Sequence, residues 1–140
     1  MDLFDTPLEP SHLQRNSGDF VEVRRIAKSG SDYPMLMLNM NRYTRDSGFP
    51  GRGAYHEYIA GLGRFLMGAG AKLLWRILVL GQAVGDQKID EILACWYPLH
   101  RNFLELYEAP GAAENFRRKG ACVEYAVIHR CPGDRSPFAP

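Results

Sequence analysis

The sequence has no long apolar run, no surplus of charge and few cysteines, and each absence narrows what the chain can be. None of its hydrophobic stretches approaches the roughly 20 residues needed to span a bilayer. The first residues, Met1 to Asp5, carry neither the basic nor the apolar region of a secretory leader. A net charge of +1, with arginines scattered along the chain, argues against a nucleic-acid footprint and against a polybasic membrane binder. Three cysteines, Cys95, Cys122 and Cys131, form no CxxC pair, so reduced structural thiols in a cytoplasmic protein are expected. The histidines, His12, His56, His100 and His129, show no HxxxH or HxH spacing. His129 and Cys131 alternate onto one face of a predicted strand, but two ligands are too few for a structural zinc site. No Rossmann glycine fingerprint, Walker loop or nucleophile elbow occurs. Neither a metal nor a cofactor is therefore expected.

What is present is an ordinary globular composition, 46% apolar and 24% charged over 140 residues, enough for one domain with its own core. The chain is organised around the stretch from Tyr33 to Tyr43, predicted as a strand over 34–43. Alternation puts Met35, Met37, Asn39 and Asn41 on one face and Leu36, Leu38, Met40 and Arg42 on the other. Both faces are largely apolar, as in a central strand covered on both sides. Ahead of it, residues 1–32 form a weakly patterned N-terminal extension. Pro10 and Ser11 suit the start of a short helix that Asn16-Ser-Gly-Asp19 breaks, Phe20 to Val23 suits an edge strand, and Lys28 to Asp32 a loop.

After the glycine-rich connection 44–53 the period changes. Tyr55, Tyr58, Ile59, Leu62, Phe65 and Leu66 share one helical face, which predicts a helix over 54–69 capped by Gly68-Ala-Gly70. Strands are predicted over 72–80 and 89–97, joined by the turn around Gly85. A second helix carries Leu99, Phe103, Leu106 and Tyr107 inward. It is interrupted at Ala109-Pro-Gly111, continues over 112–119 and closes at Gly120. A fourth strand over 121–131 completes the domain 33–131, leaving an extended tail over 132–140.

Strand, helix, strand, strand, helix, strand is the split order of the α+β, ferredoxin-like βαββαβ fold with an antiparallel sheet. Right-handed crossovers bring the first and third strands together at the centre, where they are expected to run parallel. Helices cover one face of such a sheet. The other is too apolar to stay wet, so a homodimer is expected.

The succession Met37-Leu-Asn-Met-Asn-Arg42, Gly68-Ala-Gly70, Asp90-Glu-Ile-Leu-Ala-Cys-Trp-Tyr-Pro98, Phe103-Leu-Glu-Leu106 and Phe116-Arg-Arg-Lys-Gly-Ala121 resembles a bacterial family of unknown function in the dimeric α/β-barrel superfamily. The resemblance spans roughly residues 33–130. It implies a dimeric barrel scaffold, one shared by cofactor-free monooxygenases, isomerases and haem enzymes.

Five residues stand out as candidate ligand contacts. Asn39 is an amide in an apolar strand, where its polar atoms need partners from the protein or from a ligand. Tyr58 and Tyr97 are aromatic residues whose hydroxyls suit a pocket as well as a core. Arg76, mid-strand, needs a carboxylate, supplied by Glu91, Glu124 or a ligand. Arg118 suits either a helix terminus or an anionic group. Two readings follow. One is a dimeric protein binding a small apolar or aromatic molecule, with cofactor-independent proton transfer or oxygenation as the enzymatic form. The other is a non-catalytic ligand-binding or interaction protein.

Overall fold

A computed structural model of the chain describes residues 12–134. Its elements run α1 (Ser17–Lys28), β1 (Met35–Tyr43), α2 (Gly53–Gly68), β2 (Lys72–Leu78), β3 (Glu91–Tyr97), α3 (His100–Glu105) with a 3-10 turn at Leu106–Glu108, α4 (Ala112–Cys122) and β4 (Val123–Pro132). The four strands form one sheet in the order β2-β3-β1-β4, with every neighbouring pair antiparallel. This is the α+β, ferredoxin-like architecture that the element order predicts.

One expectation about the sheet is corrected. β1 and β3 are central neighbours but run antiparallel, pairing Met35 with Tyr97 and Asn41 with Glu91. The reason is the direct β2–β3 connection, which reverses the chain once more before β3 takes its place beside β1. Asn39 and Tyr97 therefore do not lie at matching strand ends. Asn39 is mid-strand, facing Leu93 across the ladder, and Tyr97 pairs with Met35 at the start of β1.

The odd-numbered side chains of β1 and β3 face the helices. Met35, Met37, Leu93, Cys95 and Tyr97 pack there with Tyr58, Leu62, Phe65 and Leu66 of α2 and Phe116 of α4. Leu36, Leu38, Met40, Ile92 and Trp96 point the other way, onto a face that adds nothing to this core.

The N-terminal region also differs from its reading. Residues 17–28 are helical, including the stretch Phe20 to Val23 expected as an edge strand. Asn16 does not break a helix; it caps one, its side chain accepting the Asp19 N–H at 3.1 Å. Asn, Ser, Gly and Asp serve turns and helix starts alike. The spacing of Val23 and Ile26, both buried, decides for the helix. The short helix expected after Pro10 lies mostly outside the described residues, and 12–14 is not helical. At the other end of the domain, α4 runs through Gly120 to Cys122. Burial of Phe116, Lys119 and Cys122 on one stripe outweighs the roughly 1 kcal/mol that a mid-helix glycine costs.

α3 is capped from a distance. Its own N-cap position, Leu99, has no capping side chain. Instead the Asp32 carboxylate accepts the N–H groups of His100 at 2.8 Å and Arg101 at 3.0 Å. Burial works against the Asp32 charge, but the N–H groups of Arg101, His100 and Tyr33 outweigh it and hold the carboxyl below its usual value of 3.8. A lowered folded pKa stabilises the fold above the unfolded value, and that contribution is lost as pH falls through the folded one. Asp32→Ala should therefore cost about 1 kcal/mol at neutral pH in urea unfolding. The gap from the parent protein should close below pH 3.8. An equal gap at low and neutral pH would contradict this account of the cap.

Candidate functional site

Two polar assemblies lie between sheet and helices, one closed and one hollow. The closed one surrounds Glu91, at the start of β3 and only 1% exposed. Its Oε1 accepts the Tyr43 hydroxyl at 2.7 Å, and its Oε2 accepts the Tyr55 hydroxyl at 2.7 Å and Arg76 Nη1 at 3.1 Å. Arg76 also donates to the Tyr55 oxygen at 2.9 Å, and Asn41 Nδ2 to the Tyr43 oxygen at 3.3 Å. Burial raises both phenol pKa values, and Glu91 raises them further; Asn41 partly offsets this at Tyr43 and Arg76 at Tyr55. The Phe49 ring closes the cluster, stacked on Tyr43 with centroids 4.9 Å apart and edge-on to Tyr55 at 5.0 Å. Gly48, at φ +88°, allows the tight turn behind it, since a side chain there would collide with the Arg52 carbonyl. Every oxygen of the carboxylate has a donor, so this assembly is a lock between β1, α2, β2 and β3.

The hollow one is a cavity of about 440 Å³ between the sheet's inner face and the helix layer. Met37, Leu62, Phe65, Leu93, Phe103 and Phe116 give it an apolar wall. Asn39, Tyr58, Tyr97, Asn115 and Lys119 also line it, with the Cys95 thiol. Tyr58, Tyr97 and Asn115 are each less than 10% exposed. Among the described residues, neither phenol oxygen takes part in a hydrogen bond, nor does the Asn115 side-chain amide, although the Asn115 backbone N–H donates to the Gly111 carbonyl at 2.9 Å. Asn39 makes one local bond, Nδ2 to the Met37 carbonyl at 3.2 Å. On the outer side, Arg130 of β4 holds Asp19 of α1 through two bonds of 3.1 and 2.8 Å, and both residues line the cavity. The Arg15 guanidinium lies 5.2 Å from the Phe20 ring and 5.6 Å from the Tyr107 ring.

Burial governs the electrostatics of this space. It lifts the phenols of Tyr58 and Tyr97 well above their usual value, and proximity to Cys95 adds to both. It pushes the Cys95 thiol up to about 12 against the easing effect of Lys119. At neutral pH the groups are O–H and S–H, so they can donate hydrogen bonds to a guest. None is poised as an anion or nucleophile. A second depression, of about 550 Å³, lies beyond β2 and is lined by Arg42, Lys88, Asp90 and Glu124. There Arg42 is paired with Glu124 at 3.0 Å. The apolar cavity is the better candidate for a small molecule.

Of the five residues singled out in the sequence, the fold brings Asn39, Tyr58 and Tyr97 into the cavity wall. Arg76 is not in that wall; its partner is Glu91, one of the two carboxylates the sequence offered. Arg118 also lies outside it, 3.1 Å from Glu114, with its guanidinium passing over Gly61 of α2 where no side chain stands. Sequence reasoning missed Asn115 and Lys119. The signal was there: Asn115, Phe116, Lys119 and Cys122 recur on one helical stripe, so two polar residues share a buried face. The Asp19–Arg130 pair, joining two elements far apart in the chain, had no such signal.

No protein-family model matches the chain, and no curated protein matches it. It is similar in structure to a crystal structure of a protein of unknown function from Rhodopseudomonas palustris. The TM-score is 0.70 at 23% identity, over 91% of this chain and all of the other. A crystal structure of the methylated form gives the same TM-score and identity over 98% of that chain. The likeness is one of fold. Neither a metal-holding group of three or more His, Cys, Asp or Glu nor a helix long and apolar enough to cross a membrane occurs among the described residues.

The Glu91 lock yields a stability prediction. Arg76→Ala removes one donor from a carboxylate that is 1% exposed, while Arg76 itself is 40% exposed and partly screened. The loss should be about 1–3 kcal/mol in urea unfolding, with Glu91→Ala costing at least as much. A change within experimental error for both would mean that the lock does not hold the fold.

Proposed function

We propose that this chain belongs to the dimeric α/β-barrel superfamily and binds a small apolar or aromatic molecule between its sheet and helices, with a second copy of itself on the open sheet face. The observation that carries the binding reading is the cavity, with aromatic walls and the buried phenols of Tyr58 and Tyr97, to which no hydrogen bond runs among the described residues. Its volume falls in the usual range for small-molecule sites, roughly 300–1,000 Å³. Capture is favoured over catalysis, because burial moves Tyr58, Tyr97 and Cys95 away from the values that an acid, base or nucleophile needs at neutral pH. Asn39, Tyr58 and Tyr97 are the proposed ligand contacts, joined by Asn115. Incubation with a panel of bicyclic aromatic compounds should raise the melting temperature by several degrees at saturating concentration. If no member of the panel shifts it, the binding reading falls.

The partner reading rests on the open sheet face. Leu36, Leu38, Met40, Ile92 and Trp96 continue there into Trp75 and Ile77 of β2, which are 41% and 57% exposed. The apolar surface runs on past the strand, where Leu80 and Val84 are almost fully exposed. Four strands about 4.8 Å apart, with two only seven residues long, present roughly 400 Å² of flat sheet, and side-chain relief enlarges it. Stable pairs bury about 800 Å² per partner, so a second copy of the same face is a fitting cover. Sedimentation equilibrium should give the mass of two chains at micromolar concentration, and Ile77→Asp should shift it toward one. A parent protein that sediments as a monomer under those conditions would rule the dimer out.

A further inference from the structure

Resting on the small-molecule reading above, the geometry points to a more specific guest: we propose that the cavity selects a compact aromatic compound bearing a carbonyl-type acceptor oxygen, held by the hydroxyls of Tyr58 and Tyr97. The contrast lies within the protein. Tyr43 and Tyr55 are buried on the same side of the sheet, and both donate to Glu91. Tyr58 and Tyr97 are equally buried, at 4% and 3% exposure, yet no carboxylate or carbonyl among the described residues accepts from them. A buried phenol ordinarily finds a partner, because leaving its O–H unmet forfeits the hydration it lost. Both side chains line the same cavity, with Cys95 between Tyr97 and the interior of β3. Burial keeps them protonated, so each retains a proton to give. Asn115 and Asn39 line the same space and supply amides that can orient a polar substituent. The remaining wall is aromatic and aliphatic and suits a ring system. A site built around hydrogen-bond donors discriminates against an isostere that lacks the acceptor.

The test uses a pair of neutral probes that differ by one oxygen, α-tetralone and the hydrocarbon tetralin. Both are titrated into the full-length protein with binding followed by backbone amide NMR. The parent protein should bind α-tetralone about tenfold more tightly than tetralin, with shifts around Tyr58, Tyr97 and Asn115. In the Tyr58→Phe/Tyr97→Phe double variant that preference should vanish while tetralin binding is kept. Equal affinity of the parent for both probes would mean that water already satisfies the hydroxyls, and it would overturn the acceptor proposal while leaving the binding reading intact. Binding of neither probe would overturn both. Thermal unfolding of the ligand-free single variants gives an independent readout. Removing an unmet hydroxyl should leave the melting temperature unchanged or higher, whereas a drop of several degrees in both Tyr58→Phe and Tyr97→Phe would show that the protein already bonds them and would refute the proposal.

Discussion

The buried carboxylate of Glu91 is the constraint on which the rest of the arrangement depends. It stands where β3 begins, and its donors come from three other elements: Tyr43 at the end of β1, Tyr55 in the first turn of α2 and Arg76 in β2. A carboxylate kept from water must be answered by donors, and these leave little freedom in how α2 lies on the sheet. With α2 anchored by its first turn, Tyr58, Leu62 and Phe65 follow along the same helical face toward the far side of the sheet. The lock is at one end of the inner face; the cavity occupies what lies beyond it.

The two assemblies use one residue type in opposite ways. In the lock, phenols meet an acceptor that the chain itself provides. In the cavity, Tyr58 and Tyr97 are built into an apolar wall with no such acceptor among the described residues. Nothing local in the sequence separates Tyr55 from Tyr58. They are three residues apart on one stripe, and both are buried. What separates them is the strand position each meets, Glu91 for Tyr55 and the neighbourhood of Cys95 for Tyr58.

That difference marks how far the sequence could be read. Periodicities of two and 3.6 placed β1, α2 and β3 within a few residues of their observed bounds, and the order of elements led to the right sheet. The relative direction of β1 and β3 was misjudged because the reversal between β2 and β3 was not carried through. The helix over 17–28 was missed because Asn16 to Asp19 has the composition of a turn, and a cap and a breaker look alike until the following apolar spacing is weighed. Asn39, Tyr58 and Tyr97 were legible as polar or amphipathic groups on core faces. Arg76 was legible as a charge needing a carboxylate, and sheet register decided that Glu91 would be the one. Arg118 was read as a helix-terminus or anion-binding group, and it pairs instead with Glu114 one turn earlier on α4. Asn115 and Lys119 went unread, although they share the buried stripe of Phe116 and Cys122 on α4.

The capping of α3 from Asp32 also bears on the order in which the chain acquires its structure. With six residues, α3 is far below the length at which a helix persists alone. Its first N–H groups are met by a carboxylate 68 and 69 residues upstream. The segment from His100 to Glu105 is thus helical by virtue of what precedes β1, a long-range dependence in an element that looks local. It cannot act as an early nucleus, and it should consolidate only after β1 and β3 have paired and brought Tyr33 beside His100. Separating Asp32 from β1, as a permuted chain cut between α1 and β1 would do, would loosen a helix whose own sequence had not been touched.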